Sequence, residues 1–281
     1  MKEDEMLDLT NIKYYEISRT NPIIMKLYVS KRKRLYHYTN KEGANGILKS
    51  NKLWITHSNF LEDKKEIKYI SVVLDGVLMY LKENKECYDV GVKGQFIIYE
   101  AIVNTLEALK ETYKREVPIV DGGVFLFSLT ENKNNKYLYE NYCGADGTVL
   151  EFRNDIYDMF KGNKKVFINF CAKVEYNLGK QMTIIIEDIN NLYSEVLNNL
   201  IKEKKAEYSE IIKTVKGVLF TKILNYSFFF KDYKFFKEEE YRVVFLVEND
   251  CNSELVKYRK KGDRDIPYIE VNFKKKSLIK S

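Results

Sequence analysis

Glu240-Tyr241-Arg242-Val243-Val244-Phe245-Leu246-Val247 is the stretch whose reading decides the fold. Its aromatic and β-branched residues fit a pleated, buried strand, and the glutamates Glu238 and Glu239 lead into it. Upstream, Val124-Phe125-Leu126-Phe127-Ser128-Leu129-Thr130 follows the turn signal Asp121-Gly122-Gly123. It is too short and too continuously apolar for anything but a second buried strand. Leu35-Tyr36-His37-Tyr38-Thr39 and Leu53-Trp54-Ile55-Thr56 read as aromatic strands, and Gly147 to Phe152 and Val166 to Val174 as further ones. Tyr268 to Phe273 alternates and closes the sheet.

Helical periodicity lies between these strands. Asn40 is placed to cap a short helix carrying Ala44, Ile47 and Leu48. Residues 65–85 repeat Ile67, Ile70, Val73, Leu74, Val77, Leu78 and Leu81 at threes and fours, and residues 96–114 carry Ile97, Ala101, Val103, Leu106 and Leu109. A single helix is predicted over residues 190–216, with Leu192, Val196, Leu200, Tyr208, Ile211, Ile212 and Val215 inward. The economical reading is one α+β domain over residues 1–281. It has a leading helix in 1–30, a core in 31–273 with helical insertions near 65–115 and 190–216, and a solvated basic tail in 274–281.

With 45% hydrophobic and 31% charged residues, the chain is neither a disordered tail nor a disulfide scaffold. No apolar run is long enough for a membrane helix and no apolar leader follows the acidic start, so a cytoplasmic protein is expected. The net charge is +6, from 39 lysines and 8 arginines against 41 acids. That lysine excess, with few prolines, matches an AT-rich bacterial coding bias, and leaves a mild preference for anionic partners. Cys87, Cys143, Cys171 and Cys251 stand far apart, with His37 and His57 as the other soft ligands. No metal site is expected, and buried free thiols are. P-loop, G-x-G-x-x-G and G-x-S-x-G motifs are absent from the sequence.

Three ordered segments resemble a bacterial family known as DUF2971. They are Leu35 to Thr39 with Gly46 to Trp54; Phe127 to Thr130 with Tyr139-Glu140-Asn141-Tyr142 and Gly147 to Phe152; and Phe235 to Arg242. The chain departs from that pattern at Glu62-Asp63-Lys64-Lys65-Glu66, where the family has Asn-Asp-Pro-x-Glu. It also carries Tyr139 and Phe235 in place of family tryptophans. More distantly, the opening is similar to the ADP-ribosyltransferase-like fold. That resemblance implies a split, mostly antiparallel β-sheet gripping NAD, as substrate, between its halves.

The resemblance assigns roles by position. Breaking the nicotinamide–ribose bond develops an oxocarbenium-like cation, which a nearby carboxylate stabilises. Glu240 takes that role, with Glu238 beside it, since residues two apart in an extended chain face the same way. His37, helped by Thr39, is expected on a ribose hydroxyl, and Tyr142 or Tyr139 on the nicotinamide ring. Arg242 either pairs with Glu240 or holds the pyrophosphate. A second arrangement of the superfamily, Arg, Ser-x-Thr and Glu-x-Glu, matches Arg34, Ser128, Thr130, Glu238 and Glu240. The resulting expectation is an NAD-dependent ADP-ribosyltransferase with a macromolecular acceptor such as RNA or DNA, acting as a toxin or phage-defence effector. The alternatives are an NAD glycohydrolase and a non-catalytic nucleotide- or nucleic-acid-binding sensor.

Overall fold

The structure is a computed structural model, and it describes residues 27, 32, 34–61, 63, 65–116, 123–154, 166–202, 207–247 and 252–280. Apart from Leu27, the leading helix expected in residues 1–30 lies outside these, as do Asp121, Gly122 and Cys251. The strands are β1 (Arg34–Thr39), β2 (Lys52–His57), β3 (Val124–Thr130), β4 (Thr148–Arg153), β5 (Val166–Lys173), β6 (Glu240–Val247), β7 (Val256–Lys261), β8 (Arg264–Asn272) and β9 (Leu278–Lys280). The longer helices are α1 (Lys41–Ser50), α2 (Ile70–Glu83), α3 (Gln95–Arg115), α4 (Leu178–Lys202) and α5 (Tyr208–Ser227). The fold is α+β, as expected.

The nine strands of the described residues join one curled antiparallel sheet, ordered β7-β8-β2-β3-β1-β4-β9, with β6 on the other edge of β3 and β5 beyond it. β6 is buried along its whole length and pairs with β3 from Val124↔Leu246 to Thr130↔Glu240. On the opposite edge of β3, β2 pairs through Phe125 and Leu126 and β1 pairs through Thr130. The sheet therefore splits at Phe127, Ser128 and Leu129.

One face of this sheet forms an apolar core from Leu35, Leu53, Ile55, Phe125, Phe127, Leu129, Val243, Phe245, Ile269 and Val271, all buried. Burying each such side chain contributes roughly 1.5–3 kcal/mol. A one-residue slip of β3 or β6 would turn these positions to the other face, so the register is firmly set. Asn40 caps α1 as expected, its Oδ1 accepting from Gly43 N at 2.8 Å. The sheet, α1 and their loops make one compact unit, Leu27–Glu66, Ile119–Val174 and Tyr233–Ser281.

The long helices belong to a second compact unit, which includes Ile67–Pro118 and Glu175–Asp232. Within it α2 buries all the apolar positions predicted for it except Ile67, which is buried in the 3-10 turn just ahead. In α3 the buried stripe runs through Ile98, Ile102, Leu106 and Leu109, with the expected Ile97 and Val103 at its margin. The single helix expected over 190–216 is two, because α4 starts earlier, at Leu178, and α5 starts at Tyr208. The run Ile184-Ile185-Ile186 is β-branched, which masks the helical start of α4. Tyr208, predicted inward, is exposed at the first turn of α5.

Two strands were not expected. Val256–Lys261 pairs with β8 as an edge strand, so β8 does not close the sheet. The tail predicted to be solvated forms a 3-10 turn at Lys275–Ser277 and then β9, which pairs with β4. Cys143 and Cys171 are buried thiols, whereas Cys87 is exposed. Among the described residues no helix is long and apolar enough to cross a membrane.

Candidate functional site

Directly opposed residues of antiparallel strands point to the same side. The pairs Tyr36↔Thr130, Ser128↔Arg242 and Thr130↔Glu240 thus put Tyr36, Ser128, Thr130, Glu240 and Arg242 on one face. Arg34, two residues before Tyr36, shares it, and so does Glu151, which opposes Tyr36. His37 and Thr39 alternate to the apolar-core face, where the His37 ring packs on Phe127 with centroids 4.8 Å apart. The expected grouping of His37 with Glu240 about one cleft is therefore corrected by strand parity: the two lie on opposite faces of the sheet.

Glu240 is the centre of the shared face. Its Oε1 accepts from Ser128 Oγ at 2.6 Å and from Arg242 Nε at 2.8 Å, and its Oε2 accepts from Arg242 Nη2 at 2.7 Å. Arg242 Nη2 also donates to Glu66 Oε1 at 2.5 Å. Arg242 is 1% exposed, Glu240 3% and Glu66 5%, so this is a buried triad of two carboxylates around one guanidinium. Burial opposes the charge on Arg242, but the two carboxylates outweigh it and hold its pKa well above the ordinary range. Of the two expected roles for Arg242, the geometry shows the pairing with Glu240, to which Glu66 is added.

Glu66 is a residue the sequence reading missed. Its one signal is its place as the glutamate of the stretch that resembles Asn-Asp-Pro-x-Glu.

The premise that placed Glu238 beside Glu240 does not hold. Glu238 ends the 3-10 turn Tyr233–Glu238, and Glu239 takes a left-handed φ of 47°, so the segment is not extended. Both Glu238 and Glu240 are buried all the same, while Glu239 is exposed. Glu238 Oε1 accepts from Tyr142 Oη at 3.3 Å, which brings two predicted site residues together. Left-handed backbone is uncommon outside glycine. Here it is held by Asn132 Nδ2 and Asn135 Nδ2, which donate to Glu239 Oε2 at 2.6 and 3.0 Å.

The same asparagine loop is pinned to β1. Tyr38 Oη donates to Lys133 O at 2.6 Å and accepts from Asn135 N at 2.8 Å. Asn135 Oδ1 in turn caps Leu138 N at 2.9 Å, starting the turn that carries Tyr139 and Tyr142. That turn widens to a π-helical one over Tyr139–Cys143, and both tyrosines are exposed at the surface. A cavity of about 290 Å³ opens on this loop, between Asn132, Asn135, Lys136, Phe236, Lys237 and Glu239.

His37 has a place of its own. Its Nδ1 lies 3.0 Å from the Ser128 carbonyl, and a carbonyl only accepts, so Nδ1 carries the proton. The imidazole thus satisfies β3 at the split between β1 and β2. Burial pushes the His37 pKa below its ordinary value, and the Ser128 hydrogen bond opposes that shift. His57 takes the other tautomer, its Nδ1 accepting from Asn59 N at 3.1 Å.

Arg34 Nη1 pairs closely with Glu151 Oε1, and Lys133 Nζ lies 3.5 Å from the other oxygen of that carboxylate. The described residues hold no group of three or more His, Cys, Asp or Glu able to bind a metal ion. No protein-family model, curated protein or solved structure matches the chain.

Proposed function

We propose that the chain is an NAD-consuming enzyme of ADP-ribosyltransferase type, with Glu240 as its carboxylate and Ser128 as the partner of that carboxylate. The observation that carries this reading is the Ser128–Glu240 hydrogen bond on a face that also bears Arg34 and Thr130. Arg, Ser-x-Thr and Glu then stand together on a split antiparallel sheet, as the resembled superfamily has them. The alternative centred on His37 lacks that common face.

Donors from Ser128 and Arg242 favour the ionised form of Glu240. Its role is then electrostatic. A fixed negative charge stabilises the ribosyl cation as the bond from C1′ to the pyridinium nitrogen breaks and nicotinamide leaves with both electrons. The acceptor's nucleophilic atom forms the new bond to C1′ and gives up its proton. Water in that place yields free ADP-ribose, whereas a macromolecule yields a modified toxin target or defence target. Tyr139 and Tyr142 are exposed aromatics on the turn that reaches Glu238 and can stack on the leaving ring.

The burial of Glu240, with both oxygens engaged by protein donors, favours a second reading. In it the triad is purely structural and the chain binds a nucleotide or nucleic acid without turnover. Incubating the protein with NAD and quantifying nicotinamide, free ADP-ribose and ADP-ribose attached to macromolecules separates these readings. Nicotinamide release by the wild type that Ser128→Ala suppresses supports the enzyme. A folded wild type that releases none moves the reading to the binding module.

A further inference from the structure

We propose that the face of β2, β8 and β7 around Trp54 is a binding surface for single-stranded nucleic acid. The pairs Trp54↔Glu270, Thr56↔Tyr268, Lys257↔Tyr268, Arg259↔Ile266 and Lys261↔Arg264 put these side chains on one side of the sheet. Thr56↔Leu126 makes it the side that carries Ser128 and Glu240.

The surface has a stacking element and an electrostatic one. Trp54 is 50% exposed, and its ring lies 4.8 Å from that of Tyr268. The Arg259 guanidinium stands 6.0 Å from the Trp54 ring centre and 5.7 Å from that of Tyr268, and its Nη2 donates to Thr56 Oγ1 at 2.9 Å. On the same face stand the cations Lys52, Lys257, Arg259, Lys261 and Arg264, with the carboxylate of Glu270, which Lys52 and Lys257 both hold at 2.8 Å. Among the described residues Arg259 has no carboxylate partner.

Lysines on an edge strand also discourage edge-to-edge pairing of sheets. That purpose does not call for a half-exposed tryptophan with an arginine fixed over it. A nucleotide's base has a π face for the indole, and the backbone phosphates suit the cations flanking it. Stacking within a duplex hides the base faces and leaves only base edges in the grooves, so an unpaired strand fits this surface.

This inference stands apart from NAD cleavage. If cleavage holds, the strip is where a nucleic-acid acceptor docks; if it fails, the strip still binds. Trp54 is the sole tryptophan of the chain, so its fluorescence reports this site alone. Titration with a short oligothymidylate or oligouridylate should quench it saturably. The affinity should fall with salt at a log–log slope of about −2 if three phosphates are engaged. With a labelled oligonucleotide read by anisotropy, Trp54→Ala and Arg259→Ala should each weaken binding about tenfold or more, and Trp54→Phe much less.

Saturable quenching by either oligonucleotide supports the proposal, and a stronger response to one shows which of the two, differing in the 2′-hydroxyl and the 5-methyl group, the surface prefers. Absence of quenching overturns the proposal, as does binding that Trp54→Ala and Arg259→Gln leave unchanged in protein of native circular dichroism. Preferential quenching by polyglutamate would assign the surface to an acidic protein segment and overturn it as well.

Discussion

Ser128 Oγ donates to Glu240 Oε1 at 2.6 Å, diagonally across the β3–β6 ladder. Ser128 itself is exposed while the carboxylate it holds is buried. The hydroxyl is thus the point at which the buried Glu66–Arg242–Glu240 triad meets the surface of the split sheet. The chemistry proposed for Glu240 is therefore tested most sharply at this contact.

The triad itself makes a stability prediction. Arg242→Met leaves Glu66 and Glu240 buried without their shared cation. Removing one member of a buried ion pair costs about 3–5 kcal/mol. The expected result is a urea midpoint well below that of the wild type, with an unchanged slope. A midpoint close to wild type would mean that the carboxylates are reached by water and the triad is loose.

Two motif glycines should respond with opposite signs. A Cβ on Gly147 would stand 2.0 Å from the Cys143 carbonyl oxygen, so Gly147→Ala must push backbone aside, costing about 1–3 kcal/mol. Gly46, on α1, has open space where a Cβ would go, and Gly46→Ala should stabilise by up to about 1 kcal/mol. Thermal melts of the two variants test both. A Gly147→Ala protein as stable as the wild type would contradict the packing of the turn on β4.

Stability should fall on mild acidification. The pKa values of His37 and His57 are both lowered by burial. Below their ordinary value near 6.5 the unfolded chain binds more protons than the native one, so the stability present above that pH is lost as pH falls through the native values. Protonation of His57 at Nδ1 also ends the bond it accepts from Asn59 N. Melting temperatures at neutral pH and near pH 5, compared between wild type and His37→Gln, should show a smaller drop in the variant. An equal or larger drop in His37→Gln would remove His37 from this linkage.

Much of the sheet was legible because its strands are either continuously apolar, as β3 and β6, or aromatic and short, as β1 and β2. Face assignment was not. Whether His37 or Tyr36 shares a side with Glu240 depends on a register parity that β1, β3 and β6 settle only when paired. Glu66 was missed for a related reason, since its partner Arg242 is far away in sequence. β7, Val256–Lys261, drew no strand expectation because an edge strand in water need not alternate. β9 is short enough that its pairing with β4, and not its own pattern, makes it a strand.

The most direct test of the central claim is nicotinamide release from NAD by the wild type, Ser128→Ala and His37→Gln, each shown to be folded. A hydrogen bond to a charged group is worth about 1.5–3 kcal/mol, so Ser128→Ala should lower release roughly tenfold or more. His37→Gln, changed on the opposite face, should stay near wild type. Loss of release in His37→Gln with full retention in Ser128→Ala would contradict the account, and so would a wild type that leaves NAD intact.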